Sequence, residues 1–394
     1  MLDTVVLTLA RPWFEIIEPE RFSPSANVLL LPRYSLRSRG KFACVLNPTK
    51  TDRQTGRYRP RLALIRQRIL SDWALALRIE FSAPKLVFAN NFDELQTCDF
   101  ARVLAALHQA LTSMGIQLSR EALRRAPISA IHYSKNIPLT DYSTCSMAIS
   151  DLQRIDLTKR LDLSRTDYRN EGHAIRYHAN GFEVIFYDKL KDLEQALYSE
   201  KRGLEQDYVV QEEIFRGLAS LAKEVQILRM EVRLGTRRKI KSVLRCIGID
   251  TDPTFKALFD ASIAKSVLAH FWSPIRAQLP LIGAARSNRP EEILATLSTV
   301  GNGKVTSGKI LQQLGCMVLV GSVGVRGAGA ALSRYCSRRS WQRFKRELKT
   351  LSLAKAAGYT GLNQVDEALA RFEPLRLRTF QVSATPRSVA RGDV

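Results

Sequence analysis

The chain holds six cysteines, Cys44, Cys98, Cys145, Cys246, Cys316 and Cys336, and no two of them form a Cys-x-x-Cys pair. That absence removes zinc ribbons and thioredoxin-like redox motifs, and the thiols read as buried groups of a reducing compartment. The opening Met-Leu-Asp-Thr-Val-Val-Leu-Thr-Leu lacks the charged region, apolar run and cleavage site of a secretory signal, so a cytoplasmic location is expected. No apolar run reaches the ~20 residues that a membrane span requires. The longest, Cys316 to Leu332, is broken by Gly321, Gly324, Gly327 and Gly329 and reads as a buried helical turn with a glycine break. Internal repeats and low-complexity tracts are missing too. Acidic residues are scarce beside basic ones: 38 Asp+Glu face 60 Lys+Arg, a formal net charge of +22.

What is present describes a globular protein. The 394 residues suffice for one large domain or two modest ones, and 45% hydrophobic with 25% charged residues permits a real core. The net charge creates a positive field that favours polyanions, which makes DNA the leading partner. No polybasic block sits beside an anchor, so a membrane is not an expected partner.

Strand-like segments recur at Thr4–Leu9, Tyr58–Ile65, Leu77–Val87, Ile128–Tyr133, His173–His178, Phe182–Tyr187 and Ile227–Leu234. Helical periods lie between them, the clearest at Asp99–Met114. The mixture predicts an α+β fold with helices packed on one face of a sheet over residues 1–250, with a helical insertion at about 190–226. From 251 to 383 the strands stop, and Phe255–Phe271, Pro290–Val300, Ser307–Leu319 and Ser340–Leu351 predict an all-helical C-terminal domain for DNA or partner binding. Residues 384–394 read as a disordered tail. Around Trp341 and Phe344 gather Arg334, Arg338, Arg339, Arg343, Lys345, Arg346 and Lys349, a helix suited to phosphate contact or a solvated face over two inward aromatics.

The candidate chemistry sits on strands. In Gly181-Phe-Glu-Val-Ile-Phe-Tyr-Asp-Lys-Leu190, Phe182, Val184 and Phe186 share one face, and Glu183, Ile185 and Tyr187 the other. Ile227-Leu-Arg-Met-Glu-Val-Arg-Leu234 sets Leu228, Met230, Val232 and Leu234 against Arg229, Glu231 and Arg233, and Leu77, Ile79 and Phe81 stand likewise against Arg78, Glu80 and Ser82. If these strands share a sheet, one face collects Glu80, Glu183, Tyr187, Glu231 and several arginines, a surface for phosphoryl transfer. A tyrosine, with its pKa of about 10, needs a cation or metal to stabilise the phenolate. Glu231 is a candidate ligand for Mg²⁺ or Mn²⁺, and Lys189 and the arginines candidate phosphate clamps. The plainer alternative is a set of cross-strand ion pairs.

His173 and His178 are five apart, which on a strand points them to opposite faces, so only a single histidine ligand is open, with His132 as another candidate. Gly303-Lys-Val-Thr-Ser-Gly-Lys309 has phosphate-loop spacing, but Ile310 stands where the Mg²⁺-binding Ser or Thr belongs, and Thr306 or Ser307 reads as a helix N-cap.

The segment Arg165-Thr-Asp-Tyr-Arg-Asn-Glu-Gly-His-Ala-Ile-Arg-Tyr-His-Ala-Asn-Gly-Phe-Glu-Val-Ile-Phe-Tyr-Asp-Lys189, followed by Leu228-Arg-Met-Glu-Val-Arg-Leu234, resembles the core of phage and plasmid rolling-circle replication initiators of the filamentous-phage gene II/X type. The resemblance runs from the Asp3-Thr-Val strand to near Leu351, and the two quoted segments carry it. It implies an antiparallel-rich, rolling-circle nuclease-like sheet and an endonuclease that nicks an origin through a tyrosine, retaining the 5′ phosphate and leaving a 3′ hydroxyl. By position, Tyr187 is then the nucleophile, Lys189 a phosphate contact, and Glu231, Asp188 and His173 metal ligands. Arg229, Arg233, Arg237, Arg238 and Lys239 join Arg338, Arg339, Arg343, Lys345 and Arg346 as DNA contacts, and a host helicase or polymerase is an implied partner. Many such nucleases carry two histidines around one hydrophobic residue, and no His-x-His occurs here. Either the metal site is carboxylate-based or another set is used, with Tyr133, Tyr168 and Tyr177 as the competing tyrosines. A conjugative relaxase and a noncatalytic DNA-binding protein are the alternatives.

Overall fold

Alternating apolar residues set the strands, and their register decides which polar residues meet. The computed structural model describes residues 1–27, 43–49, 52, 58–69, 72–88, 90–140, 143–156, 162–169, 173–198, 226–279, 289–300, 306–350 and 360–377. Its strands are β1 (Leu2–Ala10), β2 (Glu15–Ile16), β3 (Ala43–Leu46), β4 (Arg61–Ile69), β5 (Asp72–Ser82), β6 (Ile116–Gln117), β7 (Ile128–Leu139), β8 (Asp162–Arg169), β9 (Ala174–Ala179), β10 (Phe182–Asp188) and β11 (Gln226–Leu234). Nine of them form one antiparallel sheet in the order β3-β4-β5-β1-β7-β11-β10-β9-β8, and β2 pairs with β6. The α+β class with a large antiparallel sheet is therefore as expected.

The helices are α1 (Ala83–Phe88), α2 (Phe100–Ser113), α3 (Arg120–Arg125), α4 (Cys145–Gln153), α5 (Lys189–Tyr198), α6 (Arg237–Cys246), α7 (Phe255–Leu258), α8 (Ala261–Arg276), α9 (Pro290–Val300), α10 (Ser307–Leu332), α11 (Arg338–Thr350) and α12 (Thr360–Arg371). Several cover the apolar side of the sheet. Phe182 and Phe186 meet Phe271 and Trp272 of α8, with ring centroids 5.0 and 6.0 Å apart. Phe81 of β5 meets Phe255 at 5.6 Å, and Tyr177 of β9 donates from its hydroxyl to the Leu152 carbonyl of α4.

Local chemistry explains where elements start and stop. A two-residue turn, Asn180-Gly181, joins β9 to β10, with Gly181 at φ +82, a conformation glycine adopts without a Cβ penalty. The strand expected over Leu77–Val87 ends at Ser82 because Pro84, which lacks a backbone N–H, falls in the first turn of α1. Asp260 splits the helix expected over Phe255–Phe271, accepting from the backbone N–H groups of Ser262 and Ile263 to cap α8.

Three expectations are corrected or narrowed. The boundary near residue 250 does not separate two cores: Phe255, Trp272, Met317, Trp341 and Val365 belong to the same apolar cluster as the sheet. The run Cys316–Leu332 is not a short turn but part of the 26-residue α10, kinked at Gly324 (φ 75, ψ 171), with Thr306 at the N-cap position but its side chain making no capping hydrogen bond. Among the described residues α10 alone is long and apolar enough to cross a membrane, though Val320, Val325 and Ala328 bury against the core. Of the insertion at 190–226 only α5 and the start of β11 are described, and the tail 384–394 lies outside the described residues.

Candidate functional site

Register across β10, β11 and β7 aligns Tyr187 with Arg229 and Asn136, Ile185 with Glu231 and Ser134, and Glu183 with Arg233 and His132. Directly opposed residues share a face, so these side chains stand on the side away from Phe182 and Phe186. Glu80 joins that side through Val6 and Ala130. The sequence expectation that Glu80, Glu183, Tyr187 and Glu231 lie on one face is met.

At the centre, the half-buried Tyr187 donates its hydroxyl to Glu231 Oε2 at 3.5 Å. Burial raises the phenol pKa well above 10, outweighing the pull of Arg229, so Tyr187 is protonated at neutral pH. Glu231 is 1% exposed. Burial alone would raise its pKa, but Arg233 Nε at 2.8 Å and His132 Nδ1 at 3.3 Å hold it well below the usual carboxylate range. Arg229 is 2% exposed and donates to the Asn91 carbonyl at 2.7 Å and Ser134 Oγ at 2.8 Å, and pairs with Asp3 at 3.1 Å. Lys189, wholly buried, reaches Asn91 Oδ1 at 3.1 Å and Asp192 at 3.4 Å, with its ammonium 5.9 Å from the Tyr187 ring centre.

These placements correct several assigned roles. Arg229 and Lys189 are interior groups with protein partners, not surface clamps, because the loop at Asn91 closes over both. Asp188 follows Tyr187 by one residue and points to the opposite side; its Oδ1 accepts from the N–H groups of Leu190 and Lys191, capping α5. His173 lies 3.8 Å from Asp188 and not near Glu231, while His178 pairs with Glu183 at 3.1 Å. Glu231, Asp188 and His173 are thus not brought together, and no three His, Cys, Asp or Glu among the described residues converge on a metal-sized site. The donor set does not fit Mg²⁺ or Mn²⁺: Glu231 is a lone carboxylate whose oxygens already accept from Arg233, His132 and Tyr187.

Of the competing tyrosines, Tyr133 and Tyr177 are buried with hydroxyls on the Leu258 and Leu152 carbonyls, and the Tyr168 side chain lies outside the described residues. Among the basic residues, Arg238, Arg339, Arg343 and Arg346 are exposed. Arg237 pairs with Asp252 at 3.0 Å, Lys239 lies over the Phe182 ring at 4.1 Å, and Lys345 bonds Asp156. Trp341 and Phe344 are buried and stacked 5.8 Å apart, so α11 turns its aromatics inward and arginines outward. The Arg338 side chain lies outside the described residues.

Sequence reasoning missed Asp3, Asn91, Ser134 and Asn136. The last two were legible as a polar stripe of period two with His132, whereas Asp3 and Asn91 arrive from distant segments. No protein-family model, curated protein or solved structure matches this chain.

Proposed function

We propose that the protein nicks one strand of DNA through Tyr187, as a replication initiator of a phage, plasmid or integrated element that starts rolling-circle replication. The observation that carries this reading is a half-buried tyrosine hydroxyl 3.5 Å from a carboxylate, ringed by Arg229, Arg233 and Lys189, on a chain of net charge +22. In the step, the Tyr187 oxygen bonds to phosphorus as the bond from phosphorus to the 3′ oxygen breaks. The phenol must lose its proton as that bond forms, and the departing 3′ oxygen takes one up. Glu231 is the nearest acceptor, and its tie to Arg233 makes it a weak base at rest. An incoming phosphate competes for Arg233, which is 32% exposed, and frees Glu231 to accept the proton. No step here passes through a metal, and a conjugative relaxase would use the same chemistry.

A second reading, a noncatalytic DNA-binding protein, is favoured by one observation: Arg229 and Glu231 are almost wholly buried and held in ion pairs with protein groups. The two separate in one experiment. The protein is incubated with supercoiled plasmids carrying the DNA that flanks its coding sequence, with and without Mg²⁺ or Mn²⁺. Nicked circles bearing covalently attached protein, lost in Tyr187→Phe and sharply reduced in Glu231→Gln, are the expected result. Nicking retained by Tyr187→Phe removes the nucleophile assignment, and no nicking with retained binding leaves the noncatalytic reading.

A further inference from the structure

A cavity of about 770 Å³ opens where the end of β1, the middle of β5, the start of β7, helix α3 and the start of α6 meet. Its walls combine two properties. Ala10, Ile65 and Ala76, on the Thr8 side of the sheet, supply an apolar floor, and Arg78, Arg125 and Arg237 stand around it. Among the described residues, no Asp or Glu lines it. Trp13, at its edge, leaves 48% of its surface exposed. Each arginine has a carboxylate neighbour, Glu80 at 3.2 Å, Glu121 at 2.5 Å and Asp252 at 3.0 Å, and all three carboxylates lie outside the cavity wall. Such surface pairs are weak, and a phosphate offers a guanidinium a bidentate partner instead.

We infer that this cavity binds a nucleotide unit of single-stranded DNA, with its base against Trp13 and the apolar floor and its phosphates at the three arginines. The inference rests on the DNA reading above and deepens it by naming where the strand is held. An inorganic anion would use the arginines and leave the floor and the indole empty; a base-bearing anion uses all of them. Position supports the same ligand. Thr8, Arg78 and Ala130 lie on the side of the sheet that carries Glu231, and along β11 the cavity begins at Gly235, four residues beyond Glu231, roughly 13 Å at ~3.3 Å per residue. A strand leaving Tyr187 across His132 and Arg233 therefore runs toward the cavity. Bases stay available only if unpaired, because a duplex hides their faces in its stack.

The test is the anisotropy of a short labelled oligothymidylate titrated with full-length protein in a Tyr187→Phe background, so that binding is read without cleavage. Trp13→Ala is expected to weaken binding roughly five-fold or more, the range of one lost stacking contact, and Trp13→Phe to restore most of it. R78Q/R125Q/R237Q is expected to weaken it at least ten-fold and to lower the slope of log affinity against log salt by about 2, at ~0.7 per phosphate contact. R102Q/R276Q/R371Q, which removes the same charge at exposed sites elsewhere, is expected to cost no more than about two-fold. Duplex DNA of the same sequence should bind the Trp13→Ala variant as it binds the parent. The inference is overturned if the parent does not bind the oligonucleotide, if Trp13→Ala binds as tightly as the parent, or if both triple variants lose equally. It is overturned too if inorganic phosphate displaces the oligonucleotide at concentrations where chloride at equal ionic strength does not. Loss of the nicking reading would leave these outcomes unchanged, so the two fail separately.

Discussion

Lys189 carries an ammonium at a position with no exposed surface, and burial lowers its pKa to about 8 against the partial support of Asp192. The unfolded chain holds the same proton to about 10.4. Between these values the unfolded state binds more protons than the folded one, so the contribution of Lys189 to stability rises with pH from about 8 to about 10.4 and is at its least favourable below that window. Urea unfolding of the parent and of Lys189→Met across that range should give curves that diverge in the parent's favour by roughly 3 kcal/mol as pH rises. A constant difference would show that Lys189 is not titrating in the folded state. Arg229 presents the opposite case at the same scale: Asp3, Asn91 and Ser134 stabilise its charge, as a planar fork with several partners requires.

At the scale of elements, the β10–α5 junction separates chemistry from architecture. Tyr187 ends the polar side of β10, and Asp188 begins α5 by capping it, although the two are adjacent in the chain. Asp188→Ala should cost about 1 kcal/mol in thermal or urea unfolding, and Asp188→Asn much less, since an amide oxygen also accepts from backbone N–H groups. Nicking by either variant should respond to added Mg²⁺ or Mn²⁺ as the parent does. A changed response in Asp188→Asn would return that carboxylate to the candidate site. In α10 a glycine governs geometry in a similar way. Gly324 lets the helix bend around Arg154, whose carbonyl accepts from Arg326 N–H and whose guanidinium donates to the Gly321 carbonyl. A Cβ at Gly324 would stand 2.7 Å from the Arg154 Cα, so the kink and the glycine are inseparable.

For the whole molecule, the single core shared by the described residues before and after 250 changes what fragments should do. Phe255, Phe271 and Trp272 cover the apolar side of β5 and β10, and Trp272 Nε1 donates to Asp366 of α12 at 2.7 Å. A strap at 373–377 returns to the loop beside β7: Glu94 N–H donates to the Leu375 carbonyl, Leu375 N–H to Glu94, and Lys135 to the Glu373 carbonyl. Residues 1–250 expressed alone should therefore expose a large apolar surface and show a weak near-ultraviolet circular dichroism signal with dye binding, as incompletely packed states do. A cooperative, dye-silent fragment would restore the boundary near 250.

Sequence by itself determined the strand positions, the alternation that places Tyr187, Arg229, Glu231 and Arg233 away from the core, and the basic charge, because these follow from a local period of two and from composition. It also excluded a shared ion for His173 and His178 through the same period. Only the tertiary structure decided that Asp188 caps a helix, that Asn91 encloses Arg229 and Lys189, that Asp3 pairs with Arg229, and that the C-terminal helices complete the sheet's own core. Each depends on segments far apart in the chain meeting, which local pattern does not encode. The Tyr187–Glu231 pairing lies between the two: alternation offered both residues to one face, and the register of β10 against β11 brought the hydroxyl to 3.5 Å from the carboxylate.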